Sequence, residues 1–403
     1  MEFFWIICGF TFLGIAGFGL QILAVRSYVP RPQRPGQGSE EPPFAPPISI
    51  LKPLNGLDDH LFDNLASFCE QDYAQFEILF SLQDPNDPAR RVVQKIKEKF
   101  PDREISITIE ACEEGWNPKV NNMLPAYRKA RYPYLLISDS NVMVDRDYLK
   151  SIVQPMKDPQ TGLVTNLIKG VGAKTLGSLF ENLHLNSFIL GNVCFLQKYL
   201  KIPCVIGKSM LLRKSDLEAL GGLSAFKDIL AEDHFIGMKI KERGQKVVLS
   251  NHLISNVNEY WGLRRFMNRH LRWGKMRWKI LGYKYLSELI GNPVLLSMAA
   301  LLLDGPSKRA FLVIGLTSLL KTLGDYHLGR RIGVSLSPLA YGLSPIKDLV
   351  IGLIWFLSIA NDTVVWRGKR FAIGPNTVLS PKSPKGIRPW RYRLGGRIAV
   401  GGS

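Results

Sequence analysis

Six residues of this 403-residue chain have side chains and positions suited to chemistry on a charged substrate: Asp87, Asp139, Asp233, Arg269, Arg272 and Trp273. The aspartates stand apart from one another beside strand-like or small-residue segments, and the last three residues form an R-x-x-R-W motif. A carboxylate can accept a proton or hold a cation, and paired arginines can neutralise an anionic leaving group. The set therefore indicates chemistry on an activated, negatively charged donor, delivered to an acceptor at a membrane.

Each of these residues also has a purely structural interpretation. Loop aspartates commonly form Asx turns or helix caps, which would account for Asp87 and Asp139. Asp233 lies in an A-E-D-H-F segment, where an acid at a helix start complements the helix dipole. The arginines belong to a basic stretch that could simply meet anionic lipid. Position along the predicted elements favours function for Asp87 and Asp139, and leaves both interpretations of Asp233 open.

Short strand-like runs at 48–51, 77–82, 105–109 and 134–138 alternate with segments of helical periodicity. This alternation predicts an α/β domain with a doubly wound, mostly parallel sheet. Ligands of such sheets bind at the carboxyl ends of the strands. Asp87 follows the second predicted strand and Asp139 follows the fourth, so we expect both at the same sheet edge.

The apolar segments divide the rest of the chain. Residues 1–26 are almost uncharged and are followed by arginines, which predicts an uncleaved transmembrane anchor with the following residues in the cytoplasm. We expect a Pro-rich linker at 27–47, the α/β domain at 48–280, membrane-spanning or interfacial helices at 281–362 and a basic cytoplasmic tail at 363–403.

Composition narrows the class of partner. The formal net charge of +18 could serve nucleic acid, anionic lipid or a phosphate-bearing substrate. The basic residues concentrate beside apolar segments and match no nucleic-acid-binding module, so we expect a membrane partner and no nucleic acid. Five scattered cysteines without a C-x-x-C pair predict neither a disulfide framework nor a zinc site.

Read in order, the motif residues resemble the D, D, D, (Q/R)-x-x-R-W pattern of the family 2-like and family 21 inverting glycosyltransferases. The ceramide glucosyltransferases are more similar still, because five further blocks match them: LKPLNG at 51–56, QDPNDPA at 83–89, NPKVNN at 117–122, CVIGKS at 204–209 and AED at 231–233. The likeness covers about residues 48–280 and continues more weakly into the apolar C-terminal part.

The resemblance implies a GT-A fold, a UDP-sugar donor, a divalent cation (Mg²⁺ or Mn²⁺) and a lipid acceptor such as ceramide. It implies Asp233 as the catalytic base and Trp273 as part of the acceptor site. It also implies donor contacts from Asp139, acting as metal ligand, and from four further residues: Lys52, Asp87, Arg269 and Arg272. The expected reaction is a direct displacement that gives a β-linked product, with the catalytic domain on the cytoplasmic face of a bacterial inner membrane or a Golgi-type membrane.

Two departures leave alternatives open. Asn141 stands where relatives carry Gly or Asp, which reduces the number of acidic metal ligands, and residues 175–199 differ from the ceramide enzymes where acceptor choice could reside. A hopanoid or diacylglycerol glycosyltransferase using UDP-N-acetylglucosamine is one alternative. A processive polysaccharide synthase is another, but the chain has at most four apolar segments, and Arg269 stands where those synthases usually have Gln.

Overall fold

A computed structural model describes residues 2–29 and 44–382. Residues 30–43, most of the predicted linker, and residues 383–403 of the predicted tail lie outside this part. Eleven strands occur in the described ranges: β1 Ile48–Pro53, β2 Phe76–Leu82, β3 Glu104–Ile109, β4 Tyr134–Ile137, β5 Val142–Met143, β6 Thr161–Val171, β7 Met210–Arg213, β8 Lys246–Val257, β9 Thr363–Trp366, β10 Lys369–Ile373 and β11 Leu379–Pro381.

Thirteen α-helices accompany these strands in the described part of the chain. Their bounds are α1 Glu2–Tyr28, α2 Leu61–Cys69, α3 Ala89–Lys99, α4 Pro118–Lys129, α5 Tyr148–Val153, α6 Leu176–His184, α7 Leu190–Phe195, α8 Lys214–Glu218, α9 Glu232–Glu242, α10 Leu263–Leu281, α11 Pro293–Asp304, α12 Lys308–Arg331 and α13 Ser344–Ala360. Two five-residue π-helical turns, Leu185–Ile189 and Leu196–Leu200, flank α7.

The central sheet has eight strands in the order β3-β2-β1-β4-β7-β6-β8-β5. The pairs β2–β3, β1–β2, β1–β4 and β6–β8 are parallel, and the other three pairs are antiparallel. The chain builds outward from β1 to β3 and then returns to place β4 on the other side of β1. This reversal of strand order at β1 and β4 creates the crevice where ligands of open α/β sheets bind.

Both faces of the sheet are covered, because alternate residues of each buried strand point to opposite sides. Ile48 and Ile50 of β1 pack with α2, α3 and α5, whereas Leu51 packs with α4 and α9 on the other face. These two apolar clusters are the cores of a doubly wound domain. The predicted α/β class with a mostly parallel sheet is therefore confirmed.

Helix α1 connects this domain to the apolar helices. Its last turns, with Ala24 and Val25, pack against Leu167 and Leu249 of the sheet, whereas Phe4 near its start packs against α11 and α12. By length and composition, Glu2–Tyr28 and Pro338–Ala360 can cross a membrane. The pair formed by Leu263–Gly291 and Pro293–Asp304, bent by 79°, would make a third span if it counts as one.

Residues 363–381 differ from the sequence-based expectation of a basic tail. They form an antiparallel sheet in the order β11-β10-β9, which packs against the α/β domain. Leu379 donates its N–H to the carbonyl of Asp228 (2.7 Å), and an apolar cluster joins Leu230 to Phe371 and Ile373. The basic residues of this segment concealed the alternating Val364, Phe371 and Ile373 positions that form its buried face.

Candidate active site

A cavity of about 1070 Å³ opens at the carboxyl ends of β1 and β4. Pro53 ends β1 and Asp139 follows β4, and both line the cavity. Further walls come from the segment before β7, from the loop before α9, from α10 and from the β9–β10 turn. This position is the one that the strand pattern predicts for a ligand site, and the volume suits a nucleotide-sized ligand.

Asp139 lies at the centre of an ion network that the sequence did not predict. Its carboxylate binds the ammonium groups of Lys119 (2.9 Å) and Lys208 (3.3 Å), and Lys208 also donates to the side-chain oxygen of Asn141 (2.6 Å). Burial would raise the pKa of Asp139, but the two lysines outweigh it and hold that pKa well below its usual range. Asp139 therefore remains an anion at any physiological pH.

Lys119 connects this network to the start of α9. Its ammonium lies 3.1 Å from the Glu232 carboxylate and donates to the carbonyl of Gly207 (3.1 Å). Burial would lower the pKa of Lys119, but Asp139, Glu232 and Asp233 together raise it. Burial lowers the pKa of Lys208 to about 8, although Asp139 opposes the shift. The cavity thus holds one firmly charged lysine and one whose charge responds to its surroundings.

Lys52 lies beneath the cavity rather than in it. The side chain is fully buried, and its ammonium donates to the carbonyl oxygen of Asp139 (2.7 Å) while it lies over the ring of Phe68 at 3.7 Å. Burial lowers the pKa of Lys52 to about 7. The predicted direct donor contact has no support in this geometry, because the ammonium is enclosed. Lys52 fixes the backbone that carries Asp139.

Asp233 occupies the first turn of α9 and borders the cavity. One carboxylate oxygen accepts the N–H of Gly207 and the other accepts the N–H of His234, both at 2.8 Å. Burial raises the pKa of Asp233 despite the opposing effects of Lys119 and these N–H groups. A carboxylate with a raised pKa and fixed orientation is suited to accept a proton from a ligand.

Glycine is required at position 207 for this arrangement. A Cβ atom there would lie 2.7 Å from an oxygen and 3.1 Å from the Cβ of Asp233. Since the first distance is shorter than real Cβ contacts, any side chain at this position would displace the carboxylate. The C-V-x-G block identified in the sequence is therefore explained by close approach of backbone to the Asp233 side chain.

Asp87 lies in the loop after β2, as predicted, but does not border the cavity in the described structure. Its carboxylate accepts the N–H of Gly56 (2.9 and 3.1 Å) and the N–H of Ala89 (2.8 Å) at the start of α3. This is the Asx-type capping role that loop aspartates commonly have. A nucleotide contact by Asp87 stays a prediction, and its visible role is to hold the loop after β1.

The R-x-x-R-W motif lies on α10 with its two arginines on one helix face. Arg269 binds the buried carboxylate of Glu181 (3.0 Å) and lies over the rings of Trp261 (5.1 Å) and Trp273 (4.4 Å). This arginine is thus fixed and its charge is compensated. Trp273 borders the cavity between the arginine layer and the apolar core, where an acceptor could lie against it.

Arg272 differs from Arg269 in having no compensating partner. Among the described residues no carboxylate lies within 4.0 Å of it, and its guanidinium lies 5.3 Å from the ring centre of Trp366. It borders the same cavity as Asp139 and Asp233. An unpaired guanidinium that faces a cavity is available for an anionic ligand.

Three cavity residues escaped the sequence analysis: Lys119, Lys208 and Arg367. Lys119 and Lys208 lie inside blocks that resemble the family, so their position in N-P-K and G-K-S was a usable signal. Arg367 had no such signal, because it belonged to a segment interpreted as a basic tail. The cavity is lined by eight basic and four acidic side chains, a balance that favours a negatively charged ligand.

The predicted metal site at Asp139 is not built by the protein alone. Among the described residues, no group of three or more His, Cys, Asp or Glu side chains could hold a metal ion. Both oxygens of Asp139 bind lysine ammonium groups, and Asn141 binds one of the same lysines. Divalent cations prefer several oxygen ligands, so the side chains here fit two ammonium ions better than a metal.

The cavity is cationic and lies at the switch point of an α/β sheet. It has a carboxylate of raised pKa and an apolar wall toward the apolar helices. These features suit a glycosyltransferase that uses an anionic sugar donor. The sequence model of glycosyl transferase family 21 matches residues 10–379, so the chain belongs to glycosyl transferase family 21. The predicted family and the prediction of an enzyme are thereby confirmed.

Relatives of known activity agree with this family. Ceramide glucosyltransferase 1 of Caenorhabditis elegans is 29% identical over 352 residues, which are 83% of this chain and 73% of the relative. Ceramide glucosyltransferase of Candida albicans is 36% identical over 119 residues, covering 26% and 22% of the two chains. Among solved structures, a mannosyltransferase of Pyrobaculum calidifontis in complex with GDP-Man and Mn²⁺ aligns with 87% of this chain and 99% of its own, at 16% identity and a TM-score of 0.45.

Proposed function

We propose that this protein transfers glucose from UDP-glucose to the primary hydroxyl of ceramide and inverts the anomeric centre to give a β-linked product. The observation that carries the proposal is the position of Asp233, whose carboxylate borders the cation-rich cavity and is fixed by two backbone N–H groups. The named ceramide glucosyltransferases among its relatives support the substrates.

The donor diphosphate takes its place among the cavity cations. Arg272 has no carboxylate partner in the described residues, and Lys208 is one of the two ammonium groups on Asp139. As the bond to the sugar breaks, negative charge grows on the departing diphosphate, and preorganised cations stabilise it. Asp139 keeps the lysines in place, since an anion between them lowers their mutual repulsion.

The acceptor hydroxyl is activated by Asp233. A carboxylate oxygen accepts the hydroxyl proton while the oxygen attacks the anomeric carbon from the face opposite the diphosphate. One bond forms as the other breaks, so the configuration inverts and no covalent enzyme intermediate is needed. The backbone N–H groups of Gly207 and His234 orient the carboxylate for this step.

The apolar wall of the cavity supplies a path for a lipid. Trp273, Met276 and Ile280 continue along α10 toward its end, and Ile189 and Val193 also line the cavity. The segment carrying Ile189 and Val193 packs against α1, to which Asn192 is linked through Gln21 (3.0 Å). A hydroxyl can therefore reach Asp233 while the hydrocarbon chains remain beside the membrane helices. We propose that the catalytic domain faces the cytoplasm, as the arginines after α1 predict.

The resemblance predicts Mg²⁺ or Mn²⁺ at Asp139, and such an ion would neutralise diphosphate charge when bound. The lysine contacts of Asp139 do not fit a preformed site for it. We therefore assign the charge stabilisation to the protein's own lysines and arginines.

Transfer assays with the detergent-solubilised full chain test the proposal. UDP-glucose and UDP-N-acetylglucosamine are each combined with ceramide, diacylglycerol and a polyol hopanoid, and products are identified by mass spectrometry. The anomeric configuration is then assigned by NMR. We expect β-glucosylceramide. A hopanoid or diacylglycerol product with no ceramide product would contradict the acceptor, and an α-linked product would contradict the displacement.

A further inference from the structure

Arg367 lies at the tip of the β9–β10 hairpin and borders the cavity, although it comes 94 positions after Trp273, the end of the recognised motif. Trp366 pairs with Lys369 across the hairpin, so Arg367 and Gly368 form a two-residue turn. Both have positive φ angles, 48° and 77°. Such turns favour Asn-Gly, because an arginine in the left-handed region is sterically disfavoured.

The hairpin that carries this strained arginine is firmly attached. Thr377 accepts the N–H of Leu230 (2.9 Å) through its carbonyl and the N–H of Ala231 (3.2 Å) through its hydroxyl. On the other side, the Lys275 ammonium of α10 donates to the side chain of Asn361 and the carbonyl of Thr363, both at 2.6 Å. The segment that leads into Asp233 and the helix that bears Arg272 thus fix the position of the hairpin beside the cavity.

The guanidinium of Arg367 lacks a counter-ion. It donates to the carbonyl of Pro118 (3.2 Å), and no carboxylate of the described residues lies within 4.0 Å. Burial lowers its pKa, while Asp139, Asp87 and Asp58 oppose this shift from a distance. A partly buried cation without a partner is unfavourable unless a ligand supplies the opposite charge.

Arg367 and Arg272 approach the cavity from the same side. Trp366, the neighbour of Arg367, is the ring over which Arg272 lies at 5.3 Å. Two uncompensated guanidinium groups beside one cavity match a ligand with two phosphate groups, since each can give paired N–H donors to phosphate oxygens.

We propose that Arg367 is a donor-binding residue that acts with Arg272 to bind the diphosphate of the nucleotide sugar. The C-terminal hairpin is then part of the active site, and the strained turn is explained by the side chain that it presents. This inference rests on the proposed function, because it takes the donor to be a nucleoside diphosphate sugar.

The test compares three full-length proteins: wild type, Arg367→Asn and Lys369→Gln. Asparagine is favoured in the left-handed region, so Arg367→Asn removes the guanidinium while suiting the turn. Lys369 is exposed on the same hairpin and pairs with Glu113 (3.2 Å), so Lys369→Gln is a control for loss of one charge outside the cavity. Binding of UDP and of uridine is measured by calorimetry or as inhibition of sugar transfer from UDP-glucose. Thermal unfolding is recorded for each protein.

We expect Arg367→Asn to weaken UDP binding by about tenfold to a hundredfold, the effect of losing charge-assisted hydrogen bonds. Uridine binding should not change, and the thermal midpoint should not fall, because asparagine relieves the strained turn and removes an uncompensated cation. Lys369→Gln should bind UDP like wild type. Equal UDP binding by Arg367→Asn and wild type would overturn the inference, as would an equal loss for uridine or for Lys369→Gln.

Two further outcomes separate this inference from the proposed function. If wild type glucosylates ceramide and Arg367→Asn has the same KM for UDP-glucose, only the role of Arg367 is wrong. If wild type binds no UDP and transfers no sugar from it, the donor assignment is wrong, and the inference falls with it.

Discussion

Asp233 has the raised pKa and the fixed orientation that a general base requires. Its position depends on the close approach of the Gly207 backbone. Burial raises the pKa of its carboxyl, and two N–H groups fix both oxygens. The neighbouring Glu232 instead binds Lys119 and Asn117. Both acids border the cavity, but they differ in their partners: backbone N–H groups fix Asp233, whereas Glu232 supports the lysine network.

The first prediction concerns the contact between Gly207 and Asp233. Gly207→Ala places a methyl group where only 2.7 Å is available, so the carboxylate must move. Because misplacing a catalytic group by about 1 Å can reduce the rate about a hundredfold, we expect a loss of that order in kcat. UDP affinity should change little. Steady-state kinetics and UDP binding check both expectations.

Gly342→Ala is the matched control, because nothing lies within 4 Å of a Cβ atom at that position. It should retain wild-type kcat. Full activity of Gly207→Ala would contradict the assignment of Asp233.

The second prediction concerns pH. The positive charge of Lys119 lowers the pKa of Asp233, opposing the effect of burial. In Lys119→Gln that opposition is lost, so the pKa of Asp233 rises further and the base stays protonated to higher pH. We expect the acid limb of the kcat/KM profile to move to higher pH, whatever the loss in maximal rate.

Lys369→Gln provides the reference profile, because Lys369 is exposed and Glu113 is its one ion-pair partner among the described residues. An unchanged acid limb in Lys119→Gln, or one moved to lower pH, would show that another group governs the profile.

At the scale of elements, the start of α4 holds the site together. The Asn117 side chain accepts the N–H groups of Lys119 (2.8 Å) and Val120 (3.1 Å), and its amide donates to the carbonyl of Ile229 (2.6 Å). Pro118 follows at the first helical position, where its fixed φ suits a helix start. One buried side chain therefore caps the helix that carries Lys119 and ties it to the segment before Asp233.

The third prediction is that Asn117→Ala destabilises the protein by about 1–3 kcal/mol, because it removes a helix cap and leaves the half-buried Ile229 carbonyl without this donor. Lys119 should also lose its alignment, so kcat falls together with the free energy of unfolding. Chemical denaturation and kinetics on the same samples measure both.

Ser337→Ala is the control, because it removes an exposed helix cap in which Ser337 accepts the N–H of Ala340. It should change neither kcat nor the free energy of unfolding by a comparable amount. A stable, fully active Asn117→Ala would contradict this account.

The elements from β1 to β4 could be predicted from sequence, because each is short and its pattern is local. The helix with Leu61, Leu65 and Phe68 and the strand at 105–109 both occur where their periodicity indicates. The C-terminal sheet could not be predicted in this way. Its stability depends on contacts such as Leu379 with Asp228, which join distant parts of the chain, and its basic composition suggested a tail.

The candidate site, like the fold, could be predicted only in part from the sequence. Strand ends indicated the position of Asp139, and helical spacing placed Arg269 and Arg272 on one face. Sequence could not show that Lys52 is enclosed, that Arg269 is paired with Glu181, or that Arg272 is left unpaired. Those distinctions depend on tertiary contacts, and they decide which cation is available to a ligand.

At the scale of the whole molecule, membrane attachment and catalysis share one set of helices. Helix α1 begins beside α11 and α12 and ends against the sheet. The α11–α12 connection and the catalytic domain therefore lie at opposite ends of α1. Exposed apolar side chains cover these helices, including Phe12, Leu302 and Leu312. Under the proposed function, the acceptor lipid approaches the cavity from the side of these helices.

The fourth prediction is the orientation in the membrane. Single cysteines replace exposed Lys241 on α9 and exposed Lys308 at the start of α12, with the partly buried Cys8 and Cys204 changed to alanine. In sealed vesicles, an impermeant thiol reagent should label position 241 only from the cytoplasmic face and position 308 only from the opposite face. Labelling of both positions from one face would contradict the proposed topology.

The central claim is that Asp233 is the base of an inverting glucosyl transfer, and its most direct test is turnover measured together with UDP binding in Asp233→Asn. Asparagine retains the size of the side chain but cannot accept the proton. We predict that transfer from UDP-glucose to ceramide falls by about a hundredfold to ten-thousandfold, while UDP affinity stays within about twofold. Glu242→Gln, an exposed substitution on the same helix, should behave like wild type. An Asp233→Asn protein that turns over at the wild-type rate would contradict the claim.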